Sequence, residues 1–348
     1  MSTFWKDKRV LLTGHTGFKG SWMAIWLQSL GAKVYGFSLA PDTTPSLFNQ
    51  LGVFESLSHT LGDIQDISAL NAQVELCQPD IVFHLAAQPL VRRGYRMAPL
   101  TWNTNVMGTV NLLECLRLAK RKCSVVIVTT DKVYQNRETD HHYIESDRLG
   151  GLDPYSASKA GTELVVQSYR SVMSQENLPI RLASARAGNV IGGGDWAEDR
   201  LVPDIARALS KGLPITVRNP QSVRPWQHVL EPLSGYIQLA EAMSEKNDFD
   251  TAFNFGPDPK GNRTVQDVID ASLEHWNGAV REEQSANAPH EAGLLMLSIE
   301  QAKSSLGWTP KWDFETTIEK TIEWYKRVQE GASAVEITNQ QLREYRDT

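Results

Sequence analysis

The sequence predicts an α/β protein, a doubly wound parallel sheet with a smaller C-terminal unit. Three observations carry that expectation. Short apolar runs alternate with helical stretches through the first half, the pattern of strands linked by crossover helices. A turn containing Gly14, Gly17 and Gly20 joins the first apolar run to the first helical stretch. After Gly188 the alternation fades, so the second half builds something different.

Residues 9–13 suit a strand buried on both faces. Residues 21–30 read as a buried helix ended by Gly31. Further strands are expected at 33–37, 80–85, 124–129 and 181–186. Helices are expected at 67–77, at 103–120 and from Pro154 to about 174. Proline suits a first helical turn, where its missing N–H has no partner to lose. Lys120, Arg121 and Lys122 read as cations near a helix C-terminus. A helix at 231–242 and a strand at 253–256 are expected to return to the sheet. The tail from about Ser333 is polar and is expected to be loosely held.

The chain has 348 residues and a net charge of −6, long enough for one large or two fused units. Acids and bases are mixed, without the clustered Lys and Arg of a nucleic-acid surface. Cys77, Cys115 and Cys123 show neither metal spacing nor a disulfide framework. No metal is expected. The N-terminus carries charges where a signal peptide needs an apolar core. No apolar run approaches the ~18 residues of a membrane span. The expectation is a cytoplasmic protein without membrane or nucleic-acid partners.

A glycine turn between strand and helix presents backbone N–H groups that hold a pyrophosphate. Gly14, His15, Gly17, Phe18 and Gly20 are therefore read as a dinucleotide loop of a Rossmann-like sheet. His15 is bulky for that place; either it crowds the pyrophosphate or its imidazole points to solvent. The second strand is expected to end in an acid that binds the adenosine ribose. By counting, that position is Ser38, with Asp42 slightly beyond. No Arg or Lys for a 2′-phosphate is near it in sequence, so NAD is favoured over NADP. Asp63 and Ile64 are plausible adenine contacts, or a simple turn.

Tyr155 and Lys159 are four residues apart, on one face of the helix opened by Pro154. A free tyrosine titrates near pH ~10, and lowering that by ~3 units needs ~4 kcal/mol of phenolate stabilisation. A lysine and an oxidised nicotinamide, both cationic, are able to supply it. With a dinucleotide loop in the same chain, the pair reads as a base that deprotonates an alcohol.

The glycine spacing of three and three, and the segments 14–22, 84–88, 129–134, 154–159, 186–196 and 224–232, resemble the extended short-chain dehydrogenase/reductases. Within these they resemble the nucleotide-sugar 4,6-dehydratases. Gly192 to Trp196 and Arg224 to His228 point to the branch that acts on CDP-sugars. The resemblance implies a redox-neutral lyase that turns CDP-glucose into CDP-4-keto-6-deoxy-glucose. NAD+ would take a hydride from C4, water would leave across C5–C6, and the hydride would return to C6. Such products feed deoxysugars of surface polysaccharide, including lipopolysaccharide O-antigen.

The resemblance also distributes roles. Tyr155 takes the C4 hydroxyl proton, Lys159 lowers its pKa and holds the nicotinamide ribose, and Thr130 hydrogen-bonds the same hydroxyl. Asp131 protonates the departing C6 hydroxyl. Lys132 stands where related dTDP-glucose dehydratases carry a glutamate, which leaves the C5 base open. Ala86 falls to the cofactor, and Gln88 and Asn189 to the substrate. Arg224, then Arg200, are preferred over Arg218 for the substrate diphosphate, whose oxygens match an arginine fork. Trp196 or Trp226 would line the nucleotide site. The implied division is 1–187 with 231–258 for NAD, and 188–230 with 259–348 for the nucleotide sugar. Helices at 103–120 and 155–174 would join a homodimer through a four-helix bundle, with a tetramer also open. The alternatives are an epimerase or reductase on the same scaffold, and a non-catalytic NAD-binding protein.

Overall fold

The computed structural model describes residues 3–52, 57–217, 219–246, 248–258, 262–282 and 294–348. Seven parallel strands form the central sheet: β1 Arg9–Thr13, β2 Lys33–Ser38, β3 Ser58–Leu61, β4 Ile81–His84, β5 Cys123–Val128, β6 Ile180–Ala187 and β7 Ala252–Phe255. Their order is β7-β6-β5-β4-β1-β2-β3. The helices that matter below are α1 Phe18–Ser29, α2 Ile67–Cys77, α3 Val91–Arg96, α4 Gly108–Ala119, α5 Pro154–Gln175, α6 Leu230–Glu245, α7 Phe314–Gln329 and α8 Ala334–Asp347.

Strand alternation sorts the core into two layers. Leu12, Val126 and Ala183 face one way, onto Trp22 and Met23 of α1 and Leu233 of α6. Leu11, Val125 and Leu182 face the other, onto Leu70 of α2, Leu112 of α4 and Val166 of α5. Burial on both faces explains why these strands read as continuous apolar runs. The order reverses between β1 and β4, which pair through Thr13 and His84. Ligands of open α/β sheets bind outside the strand ends at such a switch point. The glycine turn after β1 and the segment after β4 both lie there.

The C-terminal expectation is corrected. The tail is the helix α8, started by Ser333, whose hydroxyl accepts from Glu336 N. Its residues Ile337, Leu342 and Tyr345 are buried. Tyr345 donates to Glu231 Oε2 of α6 at 2.7 Å, and the backbone N–H groups of Lys311 and Trp312 donate to the same carboxylate. Burial raises the Glu231 pKa, and these donors oppose the rise. Tyr345→Phe leaves the buried carboxylate one donor short. It is expected to cost about 1–3 kcal/mol, read as a lower midpoint in chemical denaturation. An unchanged midpoint would mean that α8 is held by apolar packing alone.

Candidate active site

A cleft of about 1820 Å³ opens at the carboxyl ends of β1, β4, β5 and β6. Single drug-sized ligands fill roughly 300–1,000 Å³, so there is room for two nucleotides. The glycine turn has a shape that suits a bound phosphate. Gly14 has φ +75°, and a Cβ on it would come within 2.6 Å of Ala86 N. Only glycine lets the β1 and β4 loops meet this closely. Gly17 is the N-cap of α1, so the first-turn N–H groups of α1 have no partner within the helix. Ser38, Asp63, Ile64 and Ala86 line the same cleft. Thr16 Oγ1 lies 2.8 Å from Ser38 Oγ. Asp63 Oδ1 also accepts from Gln65 N at 2.9 Å, which fixes the turn.

The second half of the cleft is built on α5. Asp153 caps it, accepting from Tyr155 N and Ser156 N at 2.9 and 3.0 Å. With Pro154 at the first position the start of the helix is pinned, and Tyr155 and Lys159 face β5. Lys159 Nζ donates to Val128 O at 3.1 Å. Thr130 and Asp131 follow directly after β5, and Thr130 Oγ1 donates to Asp131 Oδ1 at 2.9 Å. Asp131 is buried, and its Oδ2 has no hydrogen-bond partner. Lys132 Nζ lies 3.7 Å from Asp131 Oδ1, with a side chain 33% exposed.

Burial pushes the Tyr155 phenol up to about 12; the Thr130 hydroxyl works against this and the Asp131 carboxylate adds to it. Burial brings Lys159 down to about 8, opposed by Glu163. In the protein alone the phenol therefore keeps its proton at neutrality. An added cation beside it is what would make it a base.

Glu163 and Arg186 carry no role expected from the sequence. Glu163 sits one helical turn beyond Lys159, and Arg186 is on β6. Both side chains are 1% exposed, with Nη2 2.8 Å from Oε2. Thr129 and Ser184 also donate to Glu163, at 2.5 and 2.7 Å. The spacing 155, 159, 163 is a signal in the sequence, but nothing local shows that a β6 arginine answers it. The pair, with Thr129, ties α5 to the ends of β5 and β6.

The family model described as GDP-mannose 4,6 dehydratase matches residues 11–321. The chain belongs to this family. It is 43% identical to a CDP-glucose 4,6-dehydratase of Salmonella typhimurium strain LT2, over 98% of this chain and 97% of that one. Two solved structures share the fold. UDP-glucose 4-epimerase of Thermotoga maritima, bound to UDP-glucose, has a TM-score of 0.78 at 20% identity, covering 92% and 99% of the two chains. dTDP-glucose 4,6-dehydratase of Bacillus anthracis, in complex with NAD, has 0.75 at 23%, covering 92% and 97%.

Within this nucleotide-sugar dehydratase family several expectations need correction. His15 points neither at the pyrophosphate nor at solvent. It is fully buried and does not line the cleft. Its Nε2 lies 2.7 Å from His59 Nδ1, and its ring meets Phe48 edge-on at 5.3 Å. The room comes from Gly36 of β2, where a Cβ would sit 2.6 Å from the imidazole. Burial and His59 lower its pKa to about 4, so it is neutral. Gln88 lines the cleft, but its amide serves the protein: Nε2 donates to Leu90 O and Thr101 Oγ1, and Oε1 accepts from Leu90 N. Asp42, suggested for the ribose, pairs with Arg93 of α3 at 2.5 Å. An arginine thus does reach the segment after β2, from a distant element, although Glu198 shares it at 3.3 Å.

Asn189, Arg200, Arg224, Trp196 and Trp226 line the cleft. Asn189 Oδ1 is buried without a partner. Arg200 is held by Asp195 at 2.7 Å, and Arg224 Nη1 donates to Val223 O at 2.8 Å. Trp196 and Trp226 donate to Gln50 Oε1 and Arg263 O. Arg218 lies outside the described residues. Among the described residues no His, Cys, Asp and Glu cluster could hold a metal, and no helix is long and apolar enough to cross a membrane.

Proposed function

We propose that this protein dehydrates CDP-glucose to CDP-4-keto-6-deoxy-glucose with NAD held throughout the cycle. The observation that carries the reading is Asp131: a buried carboxylate with one unpartnered oxygen, joined to Thr130 and next to Tyr155. Hydride exchange at C4 alone requires no second acid. Elimination of the C6 hydroxyl does. The glycine loop, Ser38, Asp63, Ile64, Ala86 and Lys159 would hold NAD, which when bound supplies hydride acceptance from C4 and hydride return to C6. Tyr155 would take the C4 hydroxyl proton while Thr130 orients that hydroxyl. Asp131 would deliver a proton to the C6 oxygen as it leaves. Lys132, facing the same carboxylate, is the candidate for C5 chemistry. Asn189, Arg224 and Arg200 would seat the nucleotide diphosphate, Arg200 by exchanging part of its contact with Asp195. Cytidine as the base follows from the 43% identity to the Salmonella CDP-glucose 4,6-dehydratase.

In this reading residues 1–187 with 231–258 serve NAD, and 188–230 with 259–348 serve the nucleotide sugar. A homodimer through 103–120 and 155–174 is supported by Met107 and Leu164, large apolar side chains left exposed on these stretches, with Trp102 beside them. The test is incubation with NAD+ and a panel of CDP-, dTDP-, UDP- and GDP-glucose. CDP-glucose is expected to lose one water in mass, ahead of the other three. An isomer of unchanged mass would mean an epimerase, and no change with any of the four would leave a binding protein.

A further inference from the structure

Lys19 is the second residue of α1, inside the glycine turn, and no role above uses it. Its side chain is half-buried and lines the cleft. Among the described residues it forms no hydrogen bond and no ion pair. Six other cations that line the cleft are held by the protein. Arg200 has Asp195 at 2.7 Å, Lys132 has Asp131 at 3.7 Å, Lys159 has Val128 O at 3.1 Å, Arg92 has Asp199 at 3.1 Å and Arg93 has Asp42 at 2.5 Å. Arg224 donates to Val223 O.

The charged groups around Lys19 come from three elements. Arg200 and Asp195 belong to the loop after β6, Lys159 to α5, and Asp131 to the turn after β5. Counted with Lys19, three cations face two carboxylates, so the local field attracts an anion. Burial, with Arg200 and Lys159 adding to it, brings the Lys19 amine down to about 7. A nearby anion would restore its charge.

We propose that Lys19 is a diphosphate-binding group, its ammonium holding an anionic oxygen of a bound nucleotide between the glycine turn and Asp131. The assignment rests on the nucleotide-sugar dehydratase reading. Two ligands of that reading carry such an oxygen: the dinucleotide, through its pyrophosphate, and the sugar nucleotide, through its diphosphate. Lys19 stands where the dinucleotide turn meets the residues assigned to the sugar.

Titration calorimetry with NAD+, CDP and CMP distinguishes them. Lys19→Met is expected to weaken NAD+ or CDP by roughly tenfold, the worth of one charge-assisted hydrogen bond. A loss confined to NAD+ assigns the oxygen to the dinucleotide. A loss for CDP without a matching loss for CMP assigns it to the sugar nucleotide. Lys19→Arg should keep affinity within about threefold of wild type. If the methionine variant does not fold, Lys19→Gln takes its place with the same expectation. NAD+ and CDP both within twofold of wild type would overturn the assignment, and so would equal losses for CDP and CMP. Wild-type protein that binds neither NAD+ nor CDP overturns the dehydratase reading itself, and Lys19 with it.

Discussion

Tyr155→Phe is expected to lower turnover of CDP-glucose by at least ~100-fold, the usual contribution of a general base. NAD+ affinity should stay within about twofold, because the glycine turn and Lys159 keep their places. Tyr155 lies in the first turn of α5, whose start is set by Asp153 and Pro154 and not by the phenol. The ring remains in phenylalanine, so packing is conserved and only the acidic O–H is lost. With its proton held up to about 12 in the protein alone, the phenol is no base until a cation binds beside it. Rate measurements with titration of NAD+ on the same preparation decide the matter. Near-normal turnover would remove Tyr155 from the chemistry. Equal losses in turnover and NAD+ binding would make it a cofactor contact.

Lys132→Ala is expected to slow product formation by roughly 100-fold, the effect of removing one group that faces a developing oxyanion. It should stop the reaction at a different point. Thr130, Tyr155 and Lys159 are untouched, so C4 is still oxidised. A 4-keto sugar nucleotide that keeps its C6 hydroxyl should then accumulate on the enzyme, and borodeuteride would trap it with deuterium at C4. Deuterium from solvent should enter C5 slowly or not at all. The geometry motivates this: Nζ stands 3.7 Å from Asp131 Oδ1 on a side chain partly open to the cleft. In the proposed reading acid and cation therefore face one edge of the sugar. A lysine acts as the C5 base when neutral, or as an enolate partner when charged. Fast C5 exchange with slow dehydration would favour neither role and point to Asp131 alone. Dehydration at the wild-type rate would make Lys132 structural.

The parts of this molecule that are local in sequence were legible. β1, the glycine turn and the Tyr155–Lys159 pair are each set by neighbours within a few residues. Strand β3 was not, because Ser58, His59 and Thr60 carry no apolar run. It is an edge strand, held by backbone pairing to β2 from Tyr35 to Ser38. Helix α8 was hidden for another reason. Its buried positions Ala334, Ile337, Thr338, Gln341, Leu342 and Tyr345 have a helical period but mixed polarity, so composition suggested a loose tail where periodicity would have found a helix. The site divides in the same way. Thr130, Asp131, Tyr155 and Lys159 come from two short segments and meet in one cleft. Glu163 with Arg186 and Asp42 with Arg93 depend on tertiary approach, which spacing does not reveal. His15 shows the limit most clearly: its orientation is set by Gly36, on the next strand, which leaves room for the imidazole.

The central claim is an internal transfer of hydrogen from C4 to C6 coupled to loss of water. CDP-glucose carrying deuterium at C4 tests it most directly, with unlabelled NAD+ in ordinary water and the product examined by mass spectrometry and NMR. The account predicts a product lighter by one H2O that keeps the label, now in the C6 methyl group. Label remaining at C4 in a sugar of unchanged mass, or a dehydrated product without the label, would contradict it.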